Sequence, residues 1–332
     1  MSFADQETPL ASPVTTVENW SENFCLSSFD PASGIGLWLH LGRWRHRLDW
    51  WREMFVLMLP DGTVCAHRAI GNQLSNPEGP GGPAVSIRVE EPRRRLSYRF
   101  SGGARRLPHT EMQNGLLRDG PRVPLQFDLR FESTLPMWDL HEVGDRQDFL
   151  GRGHVEQLGR LAGAIEIGGR RINYSGMANR DHSMGPRDTS AVSAHHWMQG
   201  QFDNGIGFLV YDAVLRGHPQ PVFSEALVYD GAHMHRAQLN LVDRIADPAE
   251  ALRPIAFDLI YERGTLKVLV EHMANTAYLS YSAPNDMWLG VYPQPSGEPL
   301  TLLEQSALLS LDGRVSGHGH IERTVPGDIE KE

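Results

Sequence analysis

Cysteine is nearly absent from this chain, with only Cys25 and Cys65 in 332 residues. Two cysteines cannot build a disulfide framework, and no charged-then-apolar leader opens the sequence, so a reduced, cytoplasmic setting is expected. Long apolar runs are missing as well. Nothing approaches the ~18 residues a membrane helix needs, which argues against stable membrane insertion. Positive charge is short too: the formal net charge is -10 and the pI about 5.8. Arg93-Arg94-Arg95 and Arg105-Arg106 are brief enough to be strand ends, so no nucleic-acid partner is expected. No glycine-rich loop opens a helix and no Gly-x-Ser-x-Gly elbow occurs, which removes the nucleotide and serine-hydrolase fingerprints. His233/His235 and His318/His320 sit two apart, as paired strand ligands would, but no third ligand follows at a recognisable spacing. No metal or other cofactor is therefore expected.

Long helical periodicity is also missing, and what remains reads as strands. The cleanest alternation is Val123 to Glu132, with Leu125, Phe127, Leu129 and Phe131 on one face and Gln126, Asp128, Arg130 and Glu132 on the other. Gly34 to Leu41, Trp50 to Leu59, Ala84 to Glu90 and Leu96 to Phe100 are further strands, punctuated by turn signals such as Pro60-Asp61-Gly62. Short helices are expected only near Asp139 to Phe149 and Asp247 to Leu252. The first dozen residues read as a loose arm.

The chain also repeats itself. Phe29-Asp30 with Gly34-Ile35-Gly36 recurs as Phe202-Asp203 with Gly205-Ile206-Gly207, and Asp61-Gly62 with His67-Arg68-Ala69 recurs as Asp230-Gly231 with His235-Arg236-Ala237. Glu156-Gln157 ahead of Gly168-Gly169-Arg170 is matched by Glu304-Gln305 ahead of Asp312-Gly313-Arg314. Landmarks kept in one order imply a tandem β unit of about 150–180 residues, giving domains 1–188 and 189–332. A β unit of that size hides its edges most simply by closing into an antiparallel barrel. The fold class expected is thus all-β, two tandem barrels from an internal duplication. Barrels of this kind can enclose one small apolar ligand.

Where the first copy ends, Gly176 to Asp188 carries Arg180-Asp181-His182-Ser183, Gly185 and Arg187-Asp188. Few loops hold so many donors and acceptors. This run, with His154-Val155-Glu156-Gln157 and Gly163 to Gly169 before it, resembles the mid-chain signature of proteins related to carotenoid 1,2-hydratases (hydroxyneurosporene synthases). The resemblance implies two lipocalin-like barrels and a superfamily of water-adding enzymes and of cyclases acting on terpenoid or polyketide chains. Relatives typically carry Gly where Ala178 stands and Trp where Met184 stands.

Adding or removing water on an unactivated carbon skeleton needs a proton donor in a dry cavity and a polar group to position water. Asp181 is the expected donor, its carboxyl kept protonated by burial. Alternation would put Arg180 and His182 on one face, Asp181 and Ser183 on the other. Arg180, His182, Glu156 and His195 complete the candidate catalytic set, and Trp38, Met184, His196, Trp197 and Tyr211 are candidates to contact substrate. The expected function is a cofactor-independent hydratase, dehydratase or isomerase of a small hydrophobic terpenoid-, steroid- or polyketide-like molecule, acting near the barrel junction. A non-catalytic carrier of such a molecule is the alternative. A homodimer is compatible with the sequence, which names neither the substrate nor the direction of reaction.

Overall fold

The computed structural model describes residues 16–72, 80–140, 153–187, 189–218, 220–241, 250, 252–282, 286–291 and 300–325. Packing divides the chain into two compact units, Met1–His109 with Arg118–Asp188, and Thr110–Leu117 with Thr189–Glu332.

Unit 1 holds β1 (Trp20–Asp30), β2 (Ile35–Trp44), β3 (Arg47–Met58), β4 (Thr63–Gly71), β5 (Val85–Glu91), β6 (Arg95–Pro108), β7 (Arg122–Ser133), β8 (Trp138–Asp139), β9 (Gly153–Ile167) and β10 (Arg170–Pro186). Eight of them pair in the circuit β1-β2-β3-β4-β6-β7-β9-β10, and β10 closes it against β1. β5 adds to β6 and β8 to β9 at the margins. All these pairings are antiparallel, so the circuit is an up-and-down barrel that leaves none of its eight strands with an open edge.

Unit 2 holds β11 (Val192–Phe202), β12 (Gly207–Leu215), β13 (Phe223–Tyr229), β14 (Met234–Leu241), β15 (Ile255–Tyr261), β16 (Gly264–Ser282), β17 (Asp286–Leu289), β18 (Leu300–Leu311) and β19 (Val315–Val325). Its eight-strand circuit runs β11-β12-β13-β14-β15-β16-β18-β19, with β19 back on β11. The two barrels therefore correspond strand for strand. The repeat landmarks become equivalent structures. Asp61-Gly62 and Asp230-Gly231 make the third hairpin turn of each barrel, with Gly62 and Gly231 at φ 78° and 96°. Glu156-Gln157 and Glu304-Gln305 lie on the equivalent strands β9 and β18.

Alternation explains the cores. On β7 the side chains of Leu125, Phe127, Leu129 and Phe131 are buried while Gln126, Asp128, Arg130 and Glu132 are exposed. Inside unit 1 the rings of Phe55, Phe100 and Phe127 lie 4.6–5.5 Å apart, and inside unit 2 Phe208 packs 5.5 Å from Phe257. Each lumen is thus filled by side chains. Gly319 on β19 shows how tightly: a Cβ there would come 2.6 Å from the Gln199 carbonyl and 2.7 Å from Leu309 Cδ1.

One element was not expected from sequence. Thr110–Asn114 forms a short helix, α1, whose segment packs with unit 2: the Leu117 amide donates to the Leu289 carbonyl and the Val291 amide to Met112, both at 2.9 Å. Of the two helices expected, Trp138–Asp139 is instead the strand β8, and residues 141–149 and most of 247–252 lie outside the described residues, as does the N-terminal arm.

Candidate functional site

The Arg180-Asp181-His182-Ser183 run lies on β10, and its alternation sends chemistry to both sides of the barrel wall. His182 and Arg180 face the lumen. The His182 ring stacks on Phe24 at 3.9 Å, and its Nε2 lies 3.1 Å from Glu22 Oε1, whose other oxygen accepts from Arg43 Nε at 2.7 Å. The Arg43 guanidinium lies 4.4 Å over Trp51. Arg180 Nε donates to Gln157 Oε1 at 2.9 Å, and its guanidinium sits over the Phe131 ring. Unit 2 repeats this with Arg323 Nε on Gln305 Oε1 at 3.0 Å. Both arginines are fully buried, and the Arg323 guanidinium is pushed down to about 10 because burial disfavours its charge. Arg43 thus meets an opposite charge in Glu22, and Arg180 and Arg323 are held by glutamine oxygens.

Asp181 lies on the outer face. Register places it opposite Glu156 on β9 and opposite Cys25 on β1, and Trp138 of β8 stands opposite Glu156 on the other side. His154, two residues before Glu156, shares that face. Its Nε2 lies 3.2 Å from Glu156 Oε1 and 3.4 Å from Asp181 Oδ2, while Asp181 Oδ1 accepts the Cys25 amide at 2.9 Å. His154 and Glu156 are each 1% exposed and Asp181 20%.

Electrostatics decide where the proton rests. Burial alone would lower the His154 pKa, but hydrogen bonds to Asp181 and Glu156 and their charges hold it above the ordinary imidazole value. Burial alone would raise Asp181, yet the His154 hydrogen bond and charge, helped by Arg187 and His40, hold it below the usual carboxylate range. The expectation that burial would keep Asp181 protonated meets an opposing influence, because the imidazole beside it favours the carboxylate. His154 stood only as a neighbour of Glu156 in the sequence. What joins it to Asp181 is the β9–β10 register, invisible from spacing along one strand.

Unit 2 carries a second cluster on its own outer face. Glu304 and Glu322 stand opposite each other on β18 and β19, the same rung as Glu156 and Asp181 in unit 1. His320 Nε2 lies 2.8 Å from Glu304 Oε2 and 4.0 Å from Glu322, and His195 Nε2 lies 2.6 Å from Glu322 Oε1. Burial would lower His320, but the two carboxylates push it up to about 10. Burial would raise Glu322, and the two histidines hold it well below the usual range. The histidine comes from β9 in unit 1 and from β19 in unit 2.

The other candidates divide the same way. Trp38 is on the outer face of unit 1, two residues from His40 with the rings 6.1 Å apart, and Met184 alternates toward the lumen beside Glu22. In unit 2, His195, Trp197 and Tyr211 share the outer face, the last two rings 4.3 Å apart, while His196 faces the lumen and lies 3.6 Å from Asp212. A hollow of about 700 Å³ on unit 1, lined among others by Arg99, Asp128, Glu166 and Arg171, contains none of the candidate residues.

Two groups of described residues, His154-Glu156-Asp181 and Glu304-His320-Glu322, have donor atoms close enough to hold a metal ion. Both are assembled across strands, and of the histidine pairs seen in the sequence only His320 takes part. His233 lies in the turn before β14, and His235 is bound to Asp230 and Glu262 at 2.9 and 2.8 Å.

Among solved structures, a Nitrosomonas europaea protein given the name AttH superposes with TM-score 0.56 at 12% identity, covering 96% of this chain and 97% of that one. Kievitone hydratase from Nectria haematococca superposes with TM-score 0.54 at 10% identity (98% and 96% covered), and CghA with Sch210972 with TM-score 0.54 at 9% (97% of both). At these identities the likeness is one of fold, and at that level the resemblance read from Gly176 to Asp188 holds. A search of curated protein sequences finds no match. A family model, by contrast, matches residues 5–282: the chain belongs to the family described as a domain of unknown function, DUF7064.

Proposed function

We propose that the chain is a cofactor-independent hydratase, dehydratase or isomerase acting by proton transfer on a small, largely hydrophobic molecule at the outer-face cluster of unit 1. The observation that carries this reading is a buried histidine, His154, set between two carboxylates on one face, 3.2 Å from Glu156 and 3.4 Å from Asp181, which favour its protonated form. A protonated imidazole can act as general acid toward an enol or a double bond polarised by oxygen once water is excluded, and a neighbouring carboxylate can take the proton released by the adding water. In hydration, His154 gives its proton to carbon, water forms the C–O bond, and Asp181 or Glu156 accepts the water proton and returns one to His154. Dehydration is the reverse. With no water involved, the same pair moves a proton between two carbons.

Asp181 thus acts as base and His154 as acid, with Glu156 sharing the charge. His182 and Arg180 support the strand from the lumen side and position Asp181. The likeness in fold to a protein named as a hydratase supports the reaction class. Carriage inside a lumen receives less support, because the phenylalanine rings of both barrels occupy that space.

The test is isotope incorporation. Purified protein is incubated with a panel of alkenes, enones and alcohols in water labelled with ¹⁸O and ²H, and products are read by mass spectrometry. Catalysed incorporation that disappears in His154→Gln is expected. Incorporation unchanged in that variant, or none beyond the protein-free rate across the panel, refutes the proposal.

A further inference from the structure

Four polar side chains around the unit 1 cluster are left with unspent hydrogen-bonding capacity. Trp38 Nε1, Trp138 Nε1, Ser183 Oγ and Asn23 Oδ1 have no hydrogen-bond partner among the described residues, although the four residues are only 1–2% exposed. A buried donor without an acceptor is costly, and native structures rarely keep one without a reason. Four on one face call for a common cause.

Register puts them together. Trp138, Glu156, Asp181, Cys25 and His40 form one rung across β8, β9, β10, β1 and β2. Asn23, Ser183 and His154 form the next rung, and Trp38 stands two residues from His40. The acid–base cluster is therefore bracketed by two indoles, four strand spacings apart, about 19 Å along the sheet. Asn23 Nδ2 is used on Ser21 Oγ at 2.9 Å, which leaves the Oδ1 lone pairs. Beside it, Gly42 allows Asn23 and His40 to approach closely: a Cβ there would come 2.7 Å from both Asn23 Oδ1 and His40 Cε1.

An indole N–H can only donate, a hydroxyl can do either, and an amide oxygen only accepts. A bare hydrocarbon offers nothing to any of them. We infer that the ligand of this face is oxygenated, with carbonyl or hydroxyl oxygens accepting from the Trp38 and Trp138 indoles and a hydroxyl available to Asn23, and that terpene-type hydrocarbons are discriminated against. This inference rests on the proposed site and names the substrate class it takes. Each indole bond forgone lowers affinity by up to about tenfold.

Indole-¹⁵N-labelled full-length protein, with the two signals assigned by their loss in Trp38→Phe and Trp138→Phe, is titrated with 1-tetralone and with tetralin, which differ only in the carbonyl oxygen. Saturable movement of at least one indole signal with the ketone and neither with the hydrocarbon is expected, and the Trp→Phe change at the indole that moves should weaken ketone binding by up to about tenfold. The inference fails if tetralin moves the signals as far, or if 1-tetralone leaves both in place. Because the titration reads no turnover, ketone binding without isotope incorporation refutes the reaction and keeps the ligand class, whereas incorporation into hydrocarbons with unmoved indoles does the opposite.

Discussion

Replacing Asp181 by Asn changes one atom of the cluster and leaves its shape. Oδ1 can go on accepting the Cys25 amide, but the second carboxylate oxygen, 3.4 Å from His154 Nε2, becomes an NH₂ that confronts an imidazole already donating. If the amide flips instead, the Cys25 bond is lost. Removing one partner of a buried ion pair costs about 3–5 kcal/mol when the remaining charge is stranded. Here Glu156 still neutralises His154 at 3.2 Å and Asp181 is 20% exposed, so the loss should be about 1–3 kcal/mol. For a barrel of this size that is a melting shift of roughly 2–12 °C. The sign with pH follows from the direction of the shift. Asp181 is held below its ordinary value of 3.8, so its contribution is complete above that pH and lost as pH falls through the folded value. The gap between wild type and variant should therefore close in acid. His154, with one carboxylate left, should drop toward the ordinary imidazole range, moving the alkaline limb of the rate profile to lower pH. Turnover per folded molecule should fall by about 10²-fold. The assay is a melting curve and a rate–pH profile on one preparation. A variant that melts early yet keeps its rate per folded molecule would remove Asp181 from the chemistry and reduce it to a structural partner.

Two further outcomes are expected. His320 is raised from 6.5 to about 10, so its stabilisation is complete below pH 6.5 and lost toward pH 10, while that of Glu322, lowered from 4.5, is complete above pH 4.5. Wild-type melting temperature should accordingly decline from pH 6.5 to 10, and His320→Gln should start lower and lose that slope; an unchanged slope would contradict the cluster's charge state. Chelation should leave activity intact, whereas about one equivalent of tightly bound zinc, with activity lost on its removal, would make the two carboxylate–histidine groups metal ligands instead of proton holders.

Much of the architecture was legible because it depends on short-range pattern. Period-two alternation on Val123 to Glu132 reports which face is buried wherever the strand sits, and Asp61-Gly62 and Asp230-Gly231 report turns because glycine tolerates positive φ. Repetition of such landmarks carried the tandem barrels. α1 escaped because five residues from Thr110 to Asn114 show too little periodicity to stand out, and their packing partners near Leu289 and Val291 are more than 170 residues away in sequence.

Sequence by itself determined which residues of Arg180-Asp181-His182-Ser183 share a face, since alternation is local geometry. It could not determine which face is which, nor who stands on the next strand. Only the tertiary structure set His154 and Glu156 against Asp181, His182 against Glu22 and Phe24, and His320 and His195 against Glu322. The physical reason is that strand register is settled by the summed burial of whole faces, while a pKa is settled by the two or three charges within a few ångströms. Burial read from composition pointed to a protonated Asp181. The imidazole that the β9–β10 register brings beside it reversed that sign.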